Sequence, residues 1–186
     1  MIGAVLAGGR GTRLGRGSKA ATPLAGRPLV AYPVAALSGA CERIAILCKH
    51  ATDLPELEGV ERWEEPDEPR HPLTGIVHAL ETAGAPVLVC AADMPFVTAD
   101  ACRTLLGAAG ASPVVAATAA GALQPTFGLY APAALDALRA AVPDAPLTRT
   151  VEALEPVRVA LPPALLRSVN TPEDLAEAEA LLAAAR

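Results

Sequence analysis

The residues best suited to chemistry form a glycine-rich, cationic segment near the start of the chain. Leu6 to Lys19 reads L-A-G-G-R-G-T-R-L-G-R-G-S-K, with four glycines among the ten residues that follow Leu6. Glycine lets backbone N–H groups approach a ligand closely, and the interleaved cations (Arg10, Arg13, Arg16 and Lys19) neutralise negative charge. The segment therefore predicts a polyphosphate site, most simply one for a nucleoside triphosphate.

Two better-known phosphate loops do not fit this segment. A Walker A loop needs Gly-Lys followed by Ser or Thr, whereas Lys19 stands between Ser18 and Ala20. The dinucleotide fingerprint G-x-G-x-x-G fails because Leu14 occupies its third glycine position. What remains is L-A-G-G-x-G-T-R-L with a lysine thirteen residues after the leucine, which resembles the loop of the nucleotidyltransferases that make nucleotide-sugars and nucleotide-activated cofactors. A flexible surface turn is the alternative interpretation, but the loop directly follows the apolar run Ile2 to Leu6.

A carboxylate that could hold a metal follows the most apolar run of the chain. Val87 to Ala92 reads V-L-V-C-A-A, as in a central strand, and Asp93 comes next. Nucleotidyl transfer needs a metal that bridges phosphate oxygens, and Mg²⁺ prefers carboxylate and water, so we expect Asp93 to bind Mg²⁺. Arg13 and Lys19 would stabilise charge on the α-phosphate and on the leaving pyrophosphate. The alternatives are a helix cap for Asp93 and solvated cations for the other two.

The elements that must position these residues alternate between strand-like and helix-like segments. This alternation predicts an α/β fold with a mostly parallel sheet, in which ligands bind outside the carboxyl ends of the strands. We expect the 186 residues to form a single domain spanning 1–186. Predicted strands begin the chain and recur at 43–48, near 60, at 87–92, 114–117, 124–130 and 157–161. Predicted helices are 28–37, 74–82, 98–106, 133–141, 147–154 and a last one that starts with Thr171 as N-cap.

Composition and charge exclude several classes of protein. The net charge of −5 argues against nucleic-acid binding, yet residues 1–30 hold five cations and no Asp or Glu. Apolar stretches fall short of a membrane span, so we expect a cytoplasmic protein that does not bind membranes. Cys48 and Cys90 lie in apolar runs and read as buried thiols, and no zinc site is expected from the spacing of cysteines and histidines.

Six motifs give the chain a specific resemblance. These are L-A-G-G-R…R-L-G…K, L-A-G-R-P-L at 24–29, P-L-T-G at 72–75, A-D-M-P at 92–95, Q-P-T-F-G-L-Y at 124–130 and V-N-T-P-E-D at 169–174. Over nearly its whole length the chain resembles the molybdenum cofactor guanylyltransferases, which join GMP from GTP to molybdopterin. The resemblance implies a Rossmann-like three-layer α/β/α fold of the nucleotide-diphospho-sugar transferase type, and a monomer or weak homo-oligomer.

The resemblance also implies residue roles. Backbone groups of Leu6, Ala7, Gly8 and Gly9 would contact base and ribose, with Arg10 and Gly11 in the same loop, and Lys19 would contact the phosphates. Pro72, Leu73 and Gly75 would help to select guanine. Asp93 would bind Mg²⁺, and Asn170 would lie on the side that receives the pterin phosphate. The acidic residue for the ribose is one of Glu64, Glu65 and Asp67, of which Glu65 is favoured.

The motifs depart from the family in three places, and rival activities stay open. His71 stands where the family usually has Gly, Ser18 where it often has Asp, and Ser168 where it commonly has Asn. Within the superfamily the alternatives are a cobinamide-phosphate guanylyltransferase, a molybdopterin cytidylyltransferase and a sugar-phosphate nucleotidyltransferase. A GTP-binding homologue without catalytic activity is the alternative from another class.

Overall fold

The structure is a computed structural model that describes residues 1–9, 18–141 and 145–184 of the protein. The predicted alternation of strands and helices is confirmed along this part of the chain. The strands are β1 Ile2–Leu6, β2 Pro23–Leu24, β3 Arg27–Pro28, β4 Arg43–Cys48, β5 Val60–Glu64, β6 Val87–Ala91, β7 Val114–Ala119, β8 Ala122–Tyr130 and β9 Val157–Ala160. The α-helices are α1 Ala31–Ser38, α2 Pro72–Ala83, α3 Ala99–Gly107, α4 Leu135–Ala140, α5 Leu147–Glu152 and α6 Pro172–Ala184. Short 3₁₀ turns cover Lys19–Ala21, Pro132–Ala134 and Pro163–Leu166.

The central sheet is mostly parallel, as the sequence predicts. Its described strands run in the order β5-β4-β1-β6-β8-β7-β9. β1 pairs in parallel with β4 and with β6, and β4 with β5, whereas β8 is antiparallel to both β6 and β7. Leu6 at the end of β1 lies opposite Leu47 and Ala91. The carboxyl ends of three neighbouring strands therefore meet at one edge, where the chain turns into loops.

Helices cover both faces of the sheet and make it the middle layer. On one face, the side chains of Val5, Ile46 and Leu88 form a buried cluster with α1 and α3. On the other face, Leu47 and Val89 belong to a second cluster that includes residues of α2, α4 and α5. Strands that are apolar on both faces need such double cover, because either uncovered face would expose apolar surface to water. The three-layer α/β/α architecture is the one expected from the sequence.

The segment before α1 differs from the prediction. The helix predicted from Pro28 begins at Ala31, and the residues before it form a hairpin in which β2 pairs with β3. Ala25 and Gly26 turn this hairpin with positive φ angles of 48° and 83°. The proline that stands in the first helical turn is Pro33, so the helix-start signal belongs to this proline and not to Pro28. The hairpin packs Leu24 against Ala178 of α6.

Two helix starts follow local capping chemistry. α2 begins at Pro72, two residues earlier than predicted, because Nδ1 of His71 accepts the N–H of Leu73 at 3.2 Å. In α3, the hydroxyl of Thr98 accepts the N–H of Ala101 at 3.2 Å, so Thr98 rather than Asp93 is the N-cap. Asp93 therefore does not cap this helix.

Candidate active site

A cavity of about 250 Å³ lies at the edge where β1, β4 and β6 end. Each of these strands sends its next residues into the cavity wall, because parallel neighbours in register turn at the same level. Among the residues singled out from the sequence, the structure brings the following to this cavity: Leu6, Ala7, Gly8, Gly9, Lys19, Glu65, Pro72, Gly75 and Asp93. Leu73, in the first turn of α2, instead packs its side chain into the core. Arg10, Gly11 and Arg13 lie outside the described residues.

Lys19 joins the glycine loop to the acidic end of β6. Its Nζ donates to Oδ2 of Asp93 at 2.6 Å and to Oδ1 of Asn170 at 2.7 Å. These residues are 74 and 151 positions away in the chain. The side chains of Lys19 and Asp93 are 17% and 21% exposed, so the pair is shielded from bulk water but reachable from the cavity. An ion pair with this geometry carries charge-assisted hydrogen bonds, which are stronger than neutral ones.

Backbone contacts hold Asp93 in place. The N–H of Ala92 donates to the carbonyl of Leu6 at 3.0 Å, which continues the pairing of β1 and β6. The carbonyl of Asp93 accepts the N–H of Val169 at 2.9 Å, and Met94 is fully buried. The carboxylate therefore projects from a fixed backbone into the cavity.

The loop that carries Asn170 is held by the start of α6. Oδ2 of Asp174 accepts the N–H groups of Asn170 at 2.8 Å and Thr171 at 2.9 Å, and Oγ1 of Thr171 accepts the N–H of Asp174 at 3.1 Å. This reciprocal cap confirms the predicted helix start. The two backbone N–H groups lower the pKa of Asp174, because they stabilise its charged form. The amide of Asn170 is thus fixed beside Lys19.

A second ion pair, which the sequence did not predict, lies in the cavity wall. Glu65 follows β5, and its N–H donates to the carbonyl of Cys48 at 3.0 Å. Lys49 follows β4, and its Nζ lies 3.3 Å from Oε1 of Glu65 and donates to the carbonyl of Pro66. Both side chains are almost fully buried, at 4% and 5% exposure. Burial raises the pKa of Glu65, and the charge of Lys49 opposes that rise.

Two glycines make room for the Glu65 carboxylate. A Cβ on Gly75 would lie 2.8 Å from Oε2 of Glu65 and 2.9 Å from Cδ2 of Leu6. A Cβ on Gly8 would overlap Oε1 and lie 3.1 Å from Cδ of the same carboxylate. These glycines explain part of the L-A-G-G and P-L-T-G motifs, because only glycine leaves space for a buried carboxylate between β1 and α2.

Several cavity residues were missed by the sequence analysis. They are Ala20, Lys49, Arg70, His71, Ala91, Ala92, Thr126 and Ser168. Lys49 could have been found, because it directly follows the apolar strand R-I-A-I-L-C just as Asp93 follows V-L-V-C-A-A. Thr126 could not, because its place depends on β8 running antiparallel beside β6.

The fold and this cavity define a class of protein: a three-layer α/β protein with a cavity at the carboxyl ends of its parallel strands, the architecture of the nucleotidyltransferases. Residues 3–159 match the family model described as the MobA-like NTP transferase domain. The chain belongs to this family and is a nucleotidyltransferase.

Curated relatives support the same family. The chain is 36% identical over 191 residues to the molybdenum cofactor guanylyltransferase of Cereibacter sphaeroides, covering 98% of this chain and 97% of that one. It is 38% identical to the protein of the same name from Rhodobacter capsulatus, covering 96% and 95%.

Solved structures share the fold at lower identity. Molybdopterin-guanine dinucleotide biosynthesis protein A of Archaeoglobus fulgidus superposes with a TM-score of 0.78 at 23% identity, covering 99% of this chain and 100% of that one. The 2-C-methyl-D-erythritol 4-phosphate cytidylyltransferase of Thermus thermophilus gives 0.71 at 21%, covering 97% and 98%. This confirms the nucleotide-diphospho-sugar transferase type of fold. Of the helices that the structure describes, none has the length and apolar content needed to cross a bilayer.

Proposed function

We propose that the protein transfers GMP from GTP to the phosphate of molybdopterin and releases pyrophosphate. The observation that carries this proposal is the contact of the Lys19 ammonium with Asp93 at 2.6 Å and with Asn170 at 2.7 Å, beside a cavity that Gly8, Gly9, Lys19 and Asp93 line. Relatives that are 34–38% identical over nearly the full length bear the name molybdenum cofactor guanylyltransferase. We further propose that 1–186 forms one nucleotidyltransferase domain that acts in the cytoplasm.

The reaction needs charge stabilisation more than it needs proton transfer. An oxygen of the acceptor phosphate attacks the α-phosphorus of GTP, the bond from that phosphorus to the β-phosphate oxygen breaks, and pyrophosphate leaves. A phosphate monoester is largely a dianion at neutral pH, since its second pKa is about 6, so the nucleophile requires no general base. No covalent bond to the protein forms.

Lys19 is suited to the phosphates by the number of its donors. An ammonium has three N–H donors, and Asp93 and Asn170 accept from two of them. Within the described ranges no third acceptor is found for this ammonium. One donor is therefore available for an oxygen of the α-phosphate, and the charge would offset the negative charge that grows on the leaving group. We assign Arg13 to the same phosphates on the basis of its place in the loop.

The site suits Mg²⁺ held by one carboxylate. Asp93 offers a partly exposed carboxylate at the cavity, and no cluster of three or more His, Cys, Asp or Glu residues with metal-binding geometry occurs in the described part of the chain. Mg²⁺ in nucleotide enzymes is commonly bound by one or two carboxylates together with substrate phosphates and water, so Asp93 fits it. When bound, the ion would neutralise phosphate charge.

The remaining cavity residues would hold the nucleoside. We assign Leu6, Ala7, Gly8 and Gly9 to base and ribose through their backbone groups, and Glu65 to the ribose hydroxyls. We assign the segment 72–75 to guanine, with Leu73 contributing its backbone because its side chain is in the core. Asn170 would face the acceptor phosphate.

The experiment that tests this function compares Asp93→Ala with wild type. The substitution should abolish Mg²⁺-dependent pyrophosphate release from GTP and molybdopterin while the protein stays folded. Near-normal turnover would remove Asp93 from the metal site. A wild-type protein that is stabilised by GTP and Mg²⁺ but releases no pyrophosphate with molybdopterin would instead favour a binding protein, and a preference for CTP would overturn the choice of base.

A further inference from the structure

The buried ion pair of Lys49 and Glu65 lies in the wall of a cavity, a position that packing of the core does not require. Both charges lie in the wall of the nucleotide cavity, with side-chain exposures of only 4% and 5%. A buried ion pair is weak evidence for stability, because desolvation offsets the attraction between the charges. Two apolar residues of similar volume would serve packing at least as well. The pair therefore calls for a functional explanation.

The Glu65 carboxylate is held in one position from several sides. The backbones of Gly8, after β1, and Gly75, on α2, pack closely against it, since a Cβ at either position would come within 2.8 Å of a carboxylate oxygen. Lys49 contacts Oε1 at 3.3 Å. The ammonium is anchored in turn by the carbonyl of Pro66, and the Lys49 N–H donates to Oγ1 of Thr52 at 3.0 Å. The carboxylate is fixed in the cavity wall, where it can accept from donors on a ligand.

Burial disfavours the charged form of this carboxyl, and a cationic partner opposes that effect. Burial raises the pKa of Glu65, while Lys49 lowers it both by its charge and by its hydrogen bond, and His78 adds a smaller lowering effect. In a protonated carboxyl one oxygen carries the proton and is a hydrogen-bond donor. A carboxylate can instead accept from two adjacent hydroxyls, one at each oxygen. The charge on Lys49 is therefore what makes Glu65 a good receptor for a diol.

We propose that Lys49 is a positioning residue that acts through Glu65, keeping this carboxylate ionised and aimed at the ribose diol of the nucleotide. The inference rests on the proposed nucleotide site. Lys49 itself touches no reacting atom. Replacing Lys49 should weaken nucleotide binding. The size of this loss should depend on pH, because it follows the ionisation of the Glu65 carboxyl.

A pH experiment has to distinguish the effect of Lys49 from the effects of other charged groups near Glu65. These groups are His78 on α2 and, around the same cavity, Lys19, Arg70, His71 and Asp93. These groups, and the phosphates of GTP, are present in wild type and in the variants alike. The ratio of dissociation constants between a variant and wild type at each pH therefore isolates the contribution of the changed residue.

The test measures the Kd of GTP by calorimetry, without acceptor, for wild type, Lys49→Met, Lys49→Arg, Glu65→Gln and the double variant Lys49→Met/Glu65→Gln. We expect Lys49→Met to weaken binding about tenfold to a hundredfold near pH 6, with the ratio to wild type falling as pH rises and the carboxyl ionises. Lys49→Arg should recover most of the affinity. In the Glu65→Gln background the Lys49→Met change should add little and show no pH dependence. Binding of 2′-deoxy-GTP, which keeps only the 3′-hydroxyl of the diol, should be weakened less by Lys49→Met than binding of GTP.

The proposal is overturned if Lys49→Met binds GTP as wild type does at every pH, or if its effect is the same with and without Glu65. Failure of wild type to bind GTP would overturn the proposed function instead, which keeps the two conclusions apart. If Lys49→Met does not fold, the ¹³C chemical shift of the Glu65 carboxyl in wild type replaces it. We then expect an ionised carboxylate at about pH 7, and a carboxyl that is protonated there contradicts the proposal.

Discussion

Gly8 stands where the Glu65 carboxylate leaves no space for a side chain, and this makes Gly8→Ala a quantitative test of the site. The added Cβ would overlap Oε1 of Glu65, and it would lie 3.1 Å from its Cδ and 3.3 Å from Cε of Lys49. The φ angle of Gly8 is outside the left-handed region, so alanine is allowed by the backbone. The main effect of the substitution should therefore come from displacing the carboxylate.

Two magnitudes follow from this displacement. Overpacking a buried site costs about 1–3 kcal/mol, which for a chain of this length lowers Tm by roughly 2–12 °C. Loss of a charged hydrogen bond to the ribose costs about 1.5–3 kcal/mol, so the Kd of GTP should rise about tenfold to a hundredfold. Differential scanning calorimetry and titration calorimetry measure these two effects separately.

A double-mutant cycle shows whether the carboxylate is the cause. In a Glu65→Ala background the carboxylate is gone, so adding Gly8→Ala should lower Tm by little or nothing. Gly9→Ala is the matched folding control in the same loop, because no described atom lies within 4 Å of its Cβ position. Gly107→Ala on α3 is the control for activity, since its Cβ position is also open among the described residues. Equal destabilisation by Gly8→Ala in both backgrounds would refute the reasoning.

Three further predictions concern the groups around the cavity. Lys19→Met should lower kcat at least about a hundredfold through the loss of charge stabilisation, measured as pyrophosphate release, and unchanged kcat and KM would exclude a phosphate role for Lys19. Asp174→Ala should lower Tm above about pH 4 and have no effect well below it. The reason is that the pKa of Asp174 in the folded state is lowered from 3.8. The stabilisation by Asp174 is therefore present above its unfolded-state pKa and is lost as pH falls through its folded-state pKa. A Tm difference that persists in strong acid would contradict this. Thr98→Ala should cost about 1 kcal/mol as a lost N-cap, measured by urea unfolding, and leave the Kd of GTP unchanged.

The sequence predicted the fold well because its signals are local and repeated. Apolar runs such as V-L-V-C-A-A identify central strands without knowledge of their partners. Thr171 and Pro172 marked the start of α6 because capping involves only neighbouring residues. The error at Pro28 has the opposite origin: the segment 22–29 forms a hairpin turned by Ala25 and Gly26, and a non-glycine residue with positive φ leaves little trace in a sequence.

The candidate site was predicted in part for a related reason. Each of Gly8, Lys19 and Asp93 follows or belongs to a motif at a strand end, and the parallel sheet brings such ends together. The partnership of Lys49 with Glu65 depends on β4 and β5 being adjacent and in register, with Cys48 opposite Glu64. Strand order is a long-range property that the local pattern does not contain. For the same reason Thr126 and Ser168 were not expected at the cavity.

The central claim is that the cavity around Lys19 and Asp93 joins a guanine nucleotide to molybdopterin. The most direct measurement is product analysis after incubation of the protein with Mg²⁺, molybdopterin and either GTP or CTP. The account predicts one pyrophosphate released for each molecule of a product that contains both the pterin and GMP, with GTP clearly preferred over CTP. Absence of that product from a protein that binds GTP, or a preference for CTP, would contradict it.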